Sequence, residues 1–269
     1  MKSTFLHTVV AKTRERVARA KSDNNFTAFR RKAEAARQHR EEHRFREALA
    51  VPDRINIIAE FKRASPSRGV INDRVDPAAQ ARGYVAGGAA AISVLTEPEY
   101  FQGSMADLLR MRGVVETPIL RKDFIVDEYQ IVEAAAAGAD AVLLIVAALP
   151  DAELSNLRRI AEDDLGMDAL VEVHEITELE RATDAGATLI GVNNRDLRTL
   201  EVSLDVSRQL IEHKPTNILM IAESGLSTRD EIDELRGRGF DGFLIGGWLM
   251  EATDPERALR SLLVRSTED

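Results

Sequence analysis

Eight short apolar runs, separated by stretches long enough to hold a helix, constrain this chain's fold more than any other feature. They are residues 55–58, 89–95, 118–120, 141–146, 169–173, 188–192, 218–222 and 240–245. Continuous rather than alternating apolar runs suit strands buried on both faces, as in parallel sheets covered by helices. The segments between them carry helical charge patterns, as in Glu175-Ile176-Thr177-Glu178-Leu179-Glu180-Arg181. A repeat sharpens the reading. Gly88, Gly138, Gly186 and Gly239 each stand just before an even-numbered run, 50, 48 and 53 residues apart. Each is placed to end a helix in the left-handed conformation before the chain enters a strand. Four repeats of two βα units give the strand count of a (β/α)8 TIM barrel. An open doubly wound sheet also contains such turns, but no Gly-x-Gly-x-x-Gly follows the first run, which weakens a dinucleotide-binding reading.

Residues 1–50 differ from the rest. They are rich in Arg, Lys, Glu and Ala, and the spacing of Phe5, Leu6, Val9, Val10 and Val17 suits an amphipathic helix. Ser22-Asp23-Asn24-Asn25 reads as a break and a helix cap, with a second helix over Phe26 to His39. The expected organisation of residues 1–269 is one TIM-barrel domain, with 1–50 as a helical extension and 51–269 as the eight βα units. The extension is either a solvated appendage or a lid over a site in the barrel.

Composition limits the function. With no cysteine, disulfides, thiolate nucleophiles and Cys-ligated zinc are excluded. Thirty-six Lys and Arg against 45 Asp and Glu give a net charge of −9, which disfavours nucleic acid without excluding an anionic small molecule. The longest apolar run, 141–149, is about half of a membrane span. The N-terminus lacks the apolar core of a signal peptide. A cytoplasmic enzyme without membrane contact is expected, and a monomer is compatible with all of this.

Catalytic groups in such barrels sit at the C-terminal ends of the strands. Those ends carry Glu60 and Lys62, Lys122, Glu172, and Glu223. Period two puts Glu60 and Lys62 on one face. Glu60 and Glu172 stand inside apolar runs, where an unpaired buried charge is costly. Three carboxylates and two lysines converging on one mouth would hold each other's charges and shift each other's pKa values, which suits acid–base chemistry. His174 reads as structural, and the scattered histidines give no metal site. Ser224-Gly225 and Gly246-Gly247 close the last two runs, where backbone N–H groups approach a phosphate in many such barrels.

These strand ends resemble one family, the indole-3-glycerol-phosphate synthases. The resemblance runs through Ile57-Ile58-Ala59-Glu60-Phe61-Lys62-Arg63-Ala64-Ser65-Pro66-Ser67, Leu95-Thr96-Glu97-Pro98-Glu99-Tyr100-Phe101-Gln102-Gly103-Ser104 and Leu120-Arg121-Lys122-Asp123-Phe124-Ile125. It continues in Leu170-Val171-Glu172-Val173-His174, Gly191-Val192-Asn193-Asn194-Arg195-Asp196-Leu197 and Ala222-Glu223-Ser224-Gly225. The N-terminal segment matches the family's extra helices more loosely. Gly247 departs from the pattern, since many relatives carry a side chain such as Ser there. The chain stops soon after the eighth run, so no fused second enzyme is expected.

The resemblance implies ring closure, decarboxylation and dehydration of 1-(2-carboxyphenylamino)-1-deoxyribulose 5-phosphate, a step of tryptophan biosynthesis that uses no cofactor. It makes Lys122 the acid that protonates the ketone and Glu172 the second acid–base residue, with Glu60 and Lys62 around the reacting centre. Asn193, Arg195 and Glu223 become positioning groups, Arg195 or Lys62 pairing with substrate anions. Ser65, Phe124 and Leu144 fall to the anthranilate part, and Ser224, Gly225, Gly246 and Gly247 to the phosphate. Three other readings compete. A Schiff-base aldolase would use Lys122 as an imine former. A noncatalytic phosphate-binding barrel has no need of the acids and lysines together. A related isomerase of the same pathway would not explain Glu60, Lys62 and Lys122.

Overall fold

The computed structural model describes residues 5–23 and 25–264. Eight parallel strands close into a barrel: β1 (Asn56–Phe61), β2 (Ala91–Leu95), β3 (Ile119–Lys122), β4 (Ala141–Ile145), β5 (Asp168–Val173), β6 (Leu189–Asn193), β7 (Leu219–Glu223) and β8 (Gly242–Ile245). β8 closes on β1, with Asn56 opposite Gly242 and Ala59 opposite Ile245. Each apolar run supplies one strand, but four of the eight, β1, β3, β6 and β7, extend one to three residues further toward the C-terminal end than the apolar pattern marks. Those extra residues include Glu60, Lys122, Asn193 and Glu223.

The four repeat glycines take φ of +94°, +82°, +81° and +115° at Gly88, Gly138, Gly186 and Gly239. The tight turn from helix into strand requires this left-handed backbone, which a Cβ disfavours. The outer helices are α4 (Pro77–Ala86), α5 (Met105–Arg112), α6 (Glu128–Ala136), α7 (Asp151–Arg159), α8 (Ile176–Asp184), α9 (Asp205–Leu210), α10 (Arg229–Arg238), and the short α11 (Gly247–Glu251) with α12 (Pro255–Leu263) after β8. A turn of π-helix over Ile160–Asp164 extends α7.

Period two along the strands divides the core into two layers. Ile58, Leu120, Leu143, Leu170, Leu189, Ile221 and Leu244 pack inside the barrel. Ile57, Ile92, Val142, Leu144, Val171, Ile190 and Phe243 pack outward against the helices.

The extension forms α1 (Phe5–Asp23), α2 (Phe26–Arg37) and α3 (Arg44–Leu49). The Asn25 side chain caps α2 by accepting from Ala28 N at 3.2 Å; Asn24 of the expected break lies outside the described residues. The helix ends two residues before the expected His39. α3 was not legible in the sequence. It plugs the N-terminal end of the barrel, placing fully buried Phe45 and Leu49 in the interior layer. α2 lies along α6, stacking Phe29 on Tyr129 at 5.6 Å between ring centroids. α1 runs to the opposite end, where Phe5 meets Tyr100 and Phe124 edge-on at 5.1 and 6.2 Å.

Asp140 anchors the lower half of the extension. This carboxylate, 0% exposed, precedes β4 and meets Arg40 at 2.7 Å, Arg112 at 2.8 Å, Arg37 at 3.4 Å and Arg44 at 3.7 Å. Arg37, itself buried, also donates to the carbonyls of Leu165 and Gly166.

Candidate active site

The strand ends surround a cavity of about 340 Å³ at the C-terminal mouth. That volume lies at the small-molecule end of ligand pockets. Glu60 and Lys62 of the β1 end, Lys122, Glu172, Asn193 and Glu223 all line it. Ser65, Phe124, Arg195, Ser224, Gly225, Gly246 and Gly247 complete the rim. Leu144 is a correction. It is fully buried in the outer layer, facing the helices, and Leu143 and Ile145 face the cavity instead. Adjacent strand residues point to opposite faces, and a run without polar alternation does not mark which residues point inward.

Lys122 lies at the centre. Its Nζ donates to Glu223 Oε2 at 2.6 Å and to Glu172 Oε2 at 3.3 Å. Glu60, Glu172 and Glu223 are each at most 2% exposed. Carboxylates so deeply buried stay ionised only if paired. Burial alone would lower the Lys122 pKa, but Glu223, Glu172 and Glu60 outweigh it and raise the pKa, so the ammonium persists at neutral pH. Glu60 accepts from Lys62 in a second, separate pair.

The two partners of Lys122 differ. Burial pushes the Glu223 carboxyl up to about 7; Lys122 opposes this while Glu172 and Glu60 add to it. Burial also acts on Glu172, but Lys122, His174 and a hydrogen bond from Asn193 hold it below the usual carboxylate value. The site therefore pairs a carboxylate that stays ionised with one that titrates near neutrality. Opposed pKa values of this kind are how one site supplies both acid and base.

His174 supports Glu172 from outside the cavity. Its Nε2 lies 3.4 Å from Glu172 Oε1, and Nδ1 lies 3.1 Å from Glu178 Oε2, with the same Glu178 oxygen accepting from His174 N. Burial lowers its pKa, but Glu178 and Glu172 overcome that and raise it. Asn194 ties the ends of β6 and β7 together, donating from its side chain to the carbonyls of Glu223 and Ser224.

One wall is cationic. Arg195 Nη1 donates to Leu200 O at 2.8 Å and to Ser67 Oγ at 3.2 Å. Arg68 also faces the cavity, held by an ion pair with Glu251. A Cβ on Gly247 would come 3.1 Å from Arg68 Nη1, so the guanidinium lies over the space left by the missing side chain. The sequence reading missed Arg68, although it directly follows Ser65-Pro66-Ser67. Ser224 and Gly225 turn with φ of +65° and +84°. Phe5, Phe101 and Phe124 add an aromatic wall.

Among the described residues, no group of three or more His, Asp or Glu could hold a metal ion. No described helix is long and apolar enough to cross a membrane.

Comparison with known proteins agrees with this geometry. A family profile described as indole-3-glycerol phosphate synthase matches residues 6–262. A protein of that name from Carboxydothermus hydrogenoformans is 47% identical over 96% of this chain and 99% of its own length. Another from Koribacter versatilis is 46% identical over 97% of this chain and 99% of its own. Among solved structures, 3-hexulose-6-phosphate synthase from Salmonella typhimurium is similar with a TM-score of 0.63, covering 77% of this chain and 96% of that one. At 13% identity it speaks for the fold alone.

Proposed function

The chain belongs to the indole-3-glycerol phosphate synthase family, and from that premise we propose how its cavity performs the family's reaction. The substrate is 1-(2-carboxyphenylamino)-1-deoxyribulose 5-phosphate, and the enzyme is a carboxy-lyase. The ring carbon bearing the carboxylate attacks the ketone carbon, the ketone oxygen takes a proton, and CO2 leaves to restore the aromatic ring. The new hydroxyl then departs as water while the neighbouring carbon loses a proton, giving the indole.

Lys122 is the acid at the ketone oxygen. The observation carrying this assignment is its ammonium held between Glu223 and Glu172 at the mouth of the barrel. A preset cation at a developing alkoxide stabilises the transition state more than the ground state. Glu172, oriented by Asn193 and backed by His174, exchanges the protons of dehydration. Glu60 holds Lys62 toward the reacting centre, and Glu223 positions Lys122. Arg195 pairs with a substrate anion, while backbone N–H groups at Ser224, Gly225, Gly246 and Gly247 receive the phosphate. Ser65 and Phe124 meet the anthranilate ring, with Leu143 and Ile145 in the place expected of Leu144.

The two acids flanking Lys122 work against a Schiff-base aldolase, which needs a neutral amine. The net charge of −9 supports a small-molecule partner and no nucleic acid. The reading takes the protein as a monomer acting in the cytoplasm. The anchoring of the extension at Asp140 supports one domain over residues 1–269. Following indole fluorescence on adding the substrate tests the reading; indole formation is expected, lost in Lys122→Met. Borohydride trapping of an adduct at Lys122 would favour the aldolase.

A further inference from the structure

Glu223 uses its two carboxylate oxygens unequally. Oε2 accepts from Lys122 at 2.6 Å, whereas Oε1 is buried and accepts no hydrogen bond. Hydrogen bonding therefore fixes only one end of the carboxylate, and packing sets the direction of the other. The packing surface is Gly191, midway along β6. Gly191 stands opposite Glu172 on β5 and Ile221 on β7, in the row that also includes Leu189 and Asn193. A Cβ built there would approach Glu223 Oε1 to under 3.0 Å, closer than real Cβ atoms come, and would lie 3.2 Å from its Cδ.

The backbone gives no other reason for glycine here. Gly191 is not among the residues with positive φ. Its strand neighbours Leu189, Ile190 and Val192 are large, and glycine inside a strand weakens it. What Gly191 contributes is the absence of a side chain.

We propose that Gly191 is a positioning residue for the reaction. Its missing side chain lets the Glu223 carboxylate lie across β6, in the one direction from which Oε2 reaches Lys122. The proposal rests on the part assigned to Glu223 above. Any side chain at 191 turns the carboxylate away, and the ammonium loses its shorter partner. A misplacement of about 1 Å at a reacting group can lower a rate about 10²-fold.

The test is a double-mutant cycle of Gly191→Ala, Glu223→Gln and both together, measuring kcat and KM with circular dichroism on each protein. Gly191→Ala is expected to lower kcat about 10²-fold, with KM little changed because the cationic wall is untouched. The double variant should match Glu223→Gln alone, since Gly191 acts only through Glu223. A folded Gly191→Ala enzyme with parental kcat, beside an impaired Glu223→Gln, overturns the proposal; so do losses that multiply in the double variant. Parental kcat in Glu223→Gln overturns the role of Glu223 itself, and the proposal with it. Leu170 Cδ1 also lies 3.3 Å from the added Cβ, so Gly191→Ala is paired with Gly191→Ala/Glu223→Ala. If only the single variant fails to fold, the collision is with Glu223, as proposed. If both fail, interior packing is the cause and the proposal falls.

Discussion

Arg16 Nη2 of α1 lies 3.3 Å from Asp123 Oδ1, and Asp123 directly follows Lys122. Asp123 also accepts from Thr96 Oγ1 at 2.8 Å and from Arg121 Nη2 at 3.1 Å. The first helix is thus joined through one buried carboxylate to the strand end that carries the central lysine.

Removing residues 1–23 is expected to lower kcat/KM at least about tenfold, an order-of-magnitude figure for loss of a site-closing, water-excluding element. Phe5 leaves the cavity wall and Arg16 leaves Asp123. The ion pairs of Lys12 with Glu99 and Lys21 with Asp127 are partly exposed and contribute little to stability. Parental activity in the truncated protein would reduce α1 to an appendage.

Lys122→Met keeps the stem and removes the charge. A kcat loss of at least about 10²-fold is expected, with a modest change in KM. Lys122→Arg should not restore it, because guanidinium is a poor proton donor near neutral pH. If Lys122 only holds the strand end, the Met variant will melt at lower temperature while its folded fraction turns over normally.

Glu223 predicts opposite pH effects on activity and on stability. Its carboxyl is raised from 4.5 to about 7 in the folded protein. Between those values the folded state holds a proton that the unfolded chain releases. Its contribution to stability is therefore present below about pH 4.5 and is lost as pH rises toward 7. Turnover should move the other way, since only ionised Glu223 pairs fully with Lys122, so kcat/KM should fall as pH drops below about 7. In Glu223→Gln this activity limb and this part of the stability slope should both disappear. Unchanged profiles would remove Glu223 from the titrating set.

Gly246→Asp tests the phosphate end. A like charge beside the phosphate should raise KM strongly. A Cβ at 246 would also crowd the Glu60 carboxylate, so kcat should fall as well. An unchanged KM would count against the phosphate assignment.

Asp140→Asn should act on stability alone. Arg37 and Arg112, with side chains 6% and 9% exposed, would keep their charges without the carboxylate. Breaking a buried pair in this way typically costs about 3–5 kcal/mol. Urea unfolding would show the loss, while kcat per folded molecule should hold because Asp140 lies at the opposite end of β4. A drop in kcat would join the two ends of the barrel functionally.

The site was legible where charge interrupted apolar sequence. Glu60 and Glu172 stood out because a carboxylate inside a buried strand needs a reason, and the repeat glycines pointed to a barrel, whose C-terminal strand ends were the ones to inspect. Leu144 failed because a wholly apolar run carries no record of facing. Gly191 was silent for a different reason: it has no side chain, and its effect shows only when Glu223 folds over it. His174 and Glu178 became a pair only once β5 ended and α8 began. Arg68 directly follows a motif already noticed but carried no pattern of its own.

The anchor at Asp140 also bears on how the chain is made. Residues 5–49 emerge from the ribosome before the barrel does, yet Arg37 finds its partners at 139, 140, 165 and 166, and His43 finds Asp168. The extension therefore waits for more than half of the barrel to be synthesised before it can dock. Through that interval Phe45 and Leu49, the plug of the finished barrel, have nothing to close. A segment made before the barrel thus finds its place only after the fifth strand has begun.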